Sequence, residues 1–123
     1  MDNDVIMQEV HQGQIMVYTL TGAVTDYVAD LLDFVITDPS NPYSLHLVNL
    51  EKVTSITGYA ISKLILIRDL LDIDGEKIGL TLGSPTHPLL HQLAFGLFNK
   101  QVYIYPTQQK AEEVLLRSLV AKV

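Results

Sequence analysis

The sequence predicts an α/β fold: a mostly parallel sheet of about five strands with an N-terminal antiparallel hairpin strand and about four helices, in the order ββαβαβαβα. Three observations predict it. Short runs of β-forming residues alternate with segments of helical periodicity. Gly and Pro fall between the periodic segments, where turns are expected. Successive strands are separated by single helical segments of roughly 10 to 15 residues, which implies right-handed crossovers and parallel pairing.

Residues 4 to 10 and 14 to 20 are rich in β-formers, and His11-Gln12-Gly13 between them reads as a hairpin turn. Thr25 is placed to cap a helix whose apolar side is Tyr27, Val28, Leu31, Leu32 and Val35. Asp26, Asp30 and Asp33 recur at i, i+4, i+7 and predict a solvent stripe on the other side, and the helix ends before Asp38-Pro39. Tyr43 to Leu50 is too short for a helix and suits a buried strand. Gly58 to Asp72 is the most apolar helix, closed by the turn Asp74-Gly75, and Lys77 to Leu82 is the next strand. Ser84-Pro85-Thr86 opens a third helix, with Pro88 in its first turn and Gly96 as its stop. Gln101 to Tyr105 is the last strand. Thr107 caps a final helix with Ala111, Val114, Leu115, Ser118 and Leu119 on one face.

With 123 residues, the chain is shorter than the ~150 residues of a typical domain, so one domain spanning residues 1–123 is expected. Hydrophobic residues at 48% and charged residues at 18% suffice for a core and argue against disorder. The absence of cysteine excludes disulfides, thiolate metal sites and thiol catalysis. Apolar runs such as Leu64 to Ile67, broken by Arg68 and Asp69, are far below the ~20 residues of a membrane span. The acidic start Met1-Asp2-Asn3-Asp4 lacks the basic region of a signal peptide, so a cytoplasmic location is expected.

The net charge of −6 is unevenly distributed. Residues 1 to 51 hold eight acids and no Lys or Arg, whereas residues 52 to 123 hold six acids and eight bases. Scattered bases do not make a phosphate-binding surface, which argues against nucleic acid and anionic membranes and in favour of a protein partner.

Catalytic motifs are sparse. The sequence has no G-x-S-x-G, no Gly-rich phosphate loop with its Lys, and no GxGxxG. His87 and His91 have the i, i+4 spacing of two ligands on one helix face, but the Glu of H-E-x-x-H and a third ligand are missing. Asp72-Ile73-Asp74-Gly75-Glu76 lacks the register of a calcium loop and reads as a helix-to-strand turn. His46 lies mid-strand among Leu45, Leu47 and Val48 and reads as a packed or edge histidine. The third strand ends on Asn49-Leu50, where a receiver-type phosphorylation site would need an Asp. No catalytic residue, metal or cofactor is implied. Function in sheets of this kind concentrates in loops at the carboxyl ends of strands, here Leu50 to Tyr59.

Four segments resemble the STAS domain, the fold of anti-sigma factor antagonists and of sulfate-transporter tails. Leu20-Thr21-Gly22-Ala23-Val24-Thr25 is similar to the family's opening L-x-G-x-[LVI]-D, and Leu47 to Ala60 (LVNLEKVTSITGYA) to its hydrophobic-D-L-x-x-V-x-x-[IM]-D-S-[ST]-G. Ser84-Pro85 and Gly96-Leu97-Phe98 resemble the S-P and G-L-F around its third helix, and Tyr105-Pro106-Thr107 followed by Ala111 its closing strand and helix. The chain departs from the pattern where the family's switch would act. Aligned on Val53 and Ile56, the Asp is Thr57, the phosphoacceptor is Gly58, the next position is Tyr59 and the Gly is Ala60; the opening Asp is Thr25.

The resemblance implies a non-catalytic, cytoplasmic, bacterial regulator that works in signalling to transcription by binding a protein. Its partner would be an anti-sigma factor or kinase-like protein. The missing hydroxyl at Gly58 implies that the usual phosphorylation switch is absent. The alternative implied is a small STAS subunit of a membrane transporter of ABC or sulfate type, which would dock on a transporter subunit. A homodimer is compatible with either. The expected partner-binding residues are Thr57, Gly58, Tyr59, Ile61, Ser62 and Ile65, with Thr54, Ser55 and Thr57 as substitute phosphoacceptors. On a helical wheel Ile61 and Ile65 project among Ser62, Arg68, Asp69 and Asp72, so they either form an apolar docking patch or are covered by the third helix.

Overall fold

Gln12 and Gly13 take φ of 57° and 69°, and the Gln14 N–H donates to the His11 carbonyl at 3.1 Å. Positive φ at both central residues is the mark of a type I′ turn, whose twist matches that of the paired strands. It joins β1 (Ile6–His11) to β2 (Ile15–Val24). The structure, a computed structural model, describes residues 6–97, 100 and 102–120. Residues 4 and 5 of the expected first strand, Gln101 of the last, and Phe98 lie outside the described residues.

The remaining elements are α1 (Asp26–Ile36), β3 (Leu45–Ile56), α2 (Gly58–Ile73), β4 (Lys77–Thr81), α3 (Leu90–Gly96), β5 (Tyr103–Tyr105) and α4 (Gln108–Val120). The order ββαβαβαβα is the expected one, and the sheet runs β1-β2-β3-β4-β5 with only the first pair antiparallel. Each crossover advances one strand in the same direction, so right-handedness puts α1, α2 and α3 on one face and leaves the other for α4. Alternation along the strands feeds both layers. Tyr18, Leu20, Val48 and Leu50 pack under α1 and α2, whereas Ile15, Val17, Leu45 and Leu47 meet Ala111 and Leu115 of α4. Full burial of a side chain such as Ile67 or Leu93 contributes about 1.5–3 kcal/mol. No helix among the described residues is long and apolar enough to cross a membrane.

Three expectations are corrected. First, β2 and β3 run well past Leu20 and Leu50, pairing as far as Val24 and Ile56 with register shifts between Thr19 and Thr21 and between Gly22 and Ala23. β4 pairs only as far as Asn49 of β3, so the extension is a two-stranded ribbon, with Val24, Val53 and Ile56 buried beneath it. Second, the buried arc of α1 is Val28, Ala29, Leu32 and Ile36, with Tyr27 exposed; Asp26 and Asp30 are solvent-exposed as expected, on the side of α1 that meets α2. Third, α3 begins only at Leu90, so His87 precedes it and does not share a helix face with His91. The Leu89 N–H donates to His87 Nδ1 at 3.1 Å, which leaves the proton on Nε2 to donate to the Glu51 carbonyl at 3.2 Å.

Two polar ties secure the amino-terminal side of the fold. His46 is fully buried, stacked beside Tyr18, and its Nε2 donates to Glu76 Oε1 at 2.9 Å. Its Nδ1 then accepts from the Tyr18 hydroxyl at 2.8 Å, which in turn accepts from Asn41 Nδ2 at 2.9 Å. A neutral imidazole satisfies every link, and burial holds the His46 pKa below its ordinary value, with Glu76 opposing. Burial pushes the Tyr18 hydroxyl up to about 12. On the opposite face His11 sits 2.9 Å from Glu112 and 3.2 Å from Glu9, joining the hairpin to α4. Among the described residues no buried side-chain N or O atom lacks a partner.

Candidate functional site

β3 delivers the chain to the carboxyl edge of the sheet at Ile56, and Thr57 begins α2. Its backbone is extended (φ −81°, ψ 159°), and its hydroxyl accepts from the Ala60 N–H at 3.0 Å. This is an N-cap, filling one of the amides that a helix start leaves open. The same hydroxyl donates to Asp26 Oδ1 at 2.8 Å, in the first turn of α1. Thr25 caps α1 in the same way, accepting from the Val28 N–H at 3.3 Å. The Thr57 N–H reaches the Val24 carbonyl at 3.2 Å, so the two helix starts are fixed side by side by the ribbon beneath them.

Tyr59 extends the corner. Its hydroxyl donates to Asp30 Oδ1 at 2.5 Å, and Lys63, one turn further along α2, lies 3.2 Å from Asp30 and 3.4 Å from Asp33. The ammonium also sits 5.4 Å from the Tyr59 ring centre, within cation–π range. The hydrogen bond from Tyr59, then Lys63, holds the Asp30 carboxyl below its ordinary pKa. The bond to Asp30 raises the Tyr59 hydroxyl, and Asp30 followed by Tyr59 raises Lys63. These groups are solvated, so their value is positional.

Gly58 faces open space: a Cβ built there meets nothing within 4 Å. A side chain at this position would therefore have room. Two helix starts carry partial positive charge here, which would suit an anion. Asp26 is the anion in place: α2 has no acid in its own first turn, and the Asp26 carboxylate accepts from the hydroxyl of its cap, Thr57.

Of the expected residues, Thr57, Gly58, Tyr59 and Ser62 are exposed together at this corner. Ile61 is corrected: it is buried, and the Cβ position at Gly96 of α3 lies 2.9 Å from its Cγ2, so the third helix closes over it without room for even a methyl group. Ile65 is partly buried and packs against the core, so it offers an edge and not an apex. Thr54 and Ser55 are exposed on the ribbon before the corner. Gln92 of α3 ties in below, donating to the Ile56 carbonyl at 2.9 Å. Asp26, Asp30 and Lys63 are part of the site although the sequence marked them only as a solvent stripe and a helix residue. The i, i+4 spacing of Tyr59 and Lys63 was the one signal available.

No protein-family model matches the sequence, and no curated protein matches it significantly. Solved structures do match. A candidate anti-sigma factor antagonist from Thermotoga maritima superposes with a TM-score of 0.76 at 18% identity, covering 91% of this chain and 95% of that one. The anti-sigma factor antagonist SpoIIAA in its unphosphorylated form gives 0.68 at 12% identity, covering 91% and 97%. The STAS domain of a SulP transporter from Vibrio cholerae gives 0.68 at 17% identity, covering 92% and 88%. The five-stranded sheet with its single antiparallel edge, the helix order and these superpositions together establish that the chain has the STAS fold.

Proposed function

We propose that the chain is a non-catalytic, cytoplasmic protein-binding module of the anti-sigma factor antagonist kind, docking its partner at the Thr57-Gly58-Tyr59 corner with Ser62 beside it and Ile65 at the rim. It is not switched by phosphorylation at the usual position. The observation that carries this reading is the double use of the Thr57 hydroxyl: it accepts from Ala60 N–H and donates to Asp26, next to a glycine that has no hydroxyl to offer. A phosphoryl group on Thr57 would remove the proton that the hydroxyl donates and set a second anion against the Asp26 carboxylate. Tyr59, rigid and amphipathic, is the type of side chain that anchors interfaces. Three of the four histidines have structural partners: His46 is sealed in its buried chain, His87 caps a turn and His11 joins the hairpin to α4.

The second reading, a regulatory subunit of a membrane transporter, is supported by the SulP transporter STAS domain, which superposes as well as SpoIIAA does. Both readings use the same corner. Affinity capture from the native cell with wild type, Tyr59→Ala and Thr57→Val, followed by identification of the retained protein, tests them. A partner lost from both variants supports the corner, and its identity as a sigma regulator or a transporter subunit chooses between the readings. Equal retention by all three would remove the corner from the interface.

A further inference from the structure

We propose that the crease between α1 and α2 is a docking surface for a basic amphipathic helix of a protein partner. The proposal rests on the reading of the chain as a protein-binding module and adds the partner's chemistry and a surface well beyond the Thr57 corner.

α2 exposes Tyr59, Leu66, Leu70 and Ile73, at 43%, 45%, 41% and 79%. The spacings i, i+7, i+11 and i+14 put all four on one stripe of the helix. From Tyr59 to Ile73 the stripe is about 21 Å long, or about four helical turns. Across the crease α1 presents Asp26, Asp30 and Asp33, as their bonds to Thr57, Tyr59 and Lys63 show. One bank is apolar and the other acidic, and Lys63, shared between Asp30 and Asp33, sets a single positive charge against three carboxylates.

The far end of the crease opens into a cavity of about 590 Å³ lined by residues that include Thr37, Asp38, Pro39, Leu70, Ile73 and Asp74. Among the described residues none of those lining it is basic. α1 and α2 both end here, with Thr37 and Asp74 as their C-caps, so their carbonyl ends add partial negative charge to the concavity.

Charge selects the occupant. A second copy of this chain would present the same acidic bank, from a half with eight acids and no Lys or Arg, and an anionic membrane would be repelled likewise. A helix with apolar residues at i, i+4, i+7 and Lys or Arg beside them fits both banks. Its anchors cover Leu66, Leu70 and Ile73, its basic edge faces α1, and one long cationic side chain enters the concavity, as in helix-in-groove recognition.

The test titrates a synthetic helical peptide of about 18 residues, with Leu at i, i+4, i+7 and Lys flanking, into the isotope-labelled full chain, alongside a twin with Glu in place of Lys. The expected result is amide shifts confined to α1 and α2, an affinity that falls as salt rises, and no binding of the Glu twin. Leu70→Ser and Ile73→Ser should each weaken the Lys peptide about tenfold, while Phe95→Ser, exposed on α3, leaves it unchanged. All three sites are exposed, and matching melting curves check that the variants fold. Shifts elsewhere, equal binding of the Glu twin, or indifference to both crease variants would overturn the proposal. So would a dimer of the free chain that Ile73→Ser dissolves, which would make a second copy the occupant. Thr57 lies outside the stripe, so loss of native-partner capture by Thr57→Val is scored apart from the Leu70 and Ile73 variants, and the two readings fail separately.

Discussion

The Thr57 hydroxyl lies 2.8 Å from Asp26 Oδ1 while it accepts the Ala60 N–H at 3.0 Å. One small side chain thus caps α2 and ties it to the first turn of α1. Thr57→Ala should cost about 1 kcal/mol, the usual value of an N-cap, and Thr57→Ser should restore most of it. Urea denaturation of the two variants reads the difference. Equal loss in both would mean that the methyl group, and not the hydroxyl, matters.

Gly58→Ser should fold with stability within about 0.5 kcal/mol of wild type, because the Cβ enters open space and serine is no worse than glycine in a helix. Thermal melting checks this. A large loss would mean that the corner needs glycine for close backbone approach.

Tyr18→Phe removes the hydroxyl that links Asn41 to His46; the buried His46 Nδ1 loses its donor, whereas Asn41 Nδ2 keeps the Val35 and Ile36 carbonyls. A loss of about 1–3 kcal/mol is expected. A loss well below about 1 kcal/mol in urea denaturation would mean that His46 Nδ1 finds another donor.

His11 and His46 should have pKa values shifted in opposite directions. Burial lowers the His46 pKa from 6.5, so the unfolded chain binds that proton more readily than the folded one; stability is present above 6.5 and falls as pH drops through it, down to the folded pKa. At His11 burial is outweighed by the bonds to Glu9 and Glu112, and the pKa is raised. Its contribution is complete below 6.5 and is lost as pH rises through the folded value. An NMR titration of the imidazole signals should place His11 above and His46 below 6.5. The reverse order would contradict both hydrogen-bond assignments.

The element order was legible because each crossover helix carries its own periodicity and each strand its own β-formers. The ends of β2 and β3 were not, because Thr21–Val24 and Glu51–Ile56 look like loop until they pair with each other across the chain. The site was half legible. Thr57, Gly58 and Tyr59 stood out in sequence, but the cover that Gly96 gives to Ile61 depends on where α3 lands. The roles of Asp26 and Asp30 depend on which side of α1 meets α2, and a wheel drawn for α1 alone marks them as exposed without showing their partners Thr57 and Tyr59.

The central claim is that this corner binds a protein without a phosphoryl switch. The direct test is the intact mass of the chain captured from its native cell together with its partner, followed by peptide mapping across residues 52–63. The account predicts an unmodified chain in the complex and in the free pool alike. A phosphoryl group on Thr54, Ser55 or Thr57 that is present in one pool and missing from the other would contradict it.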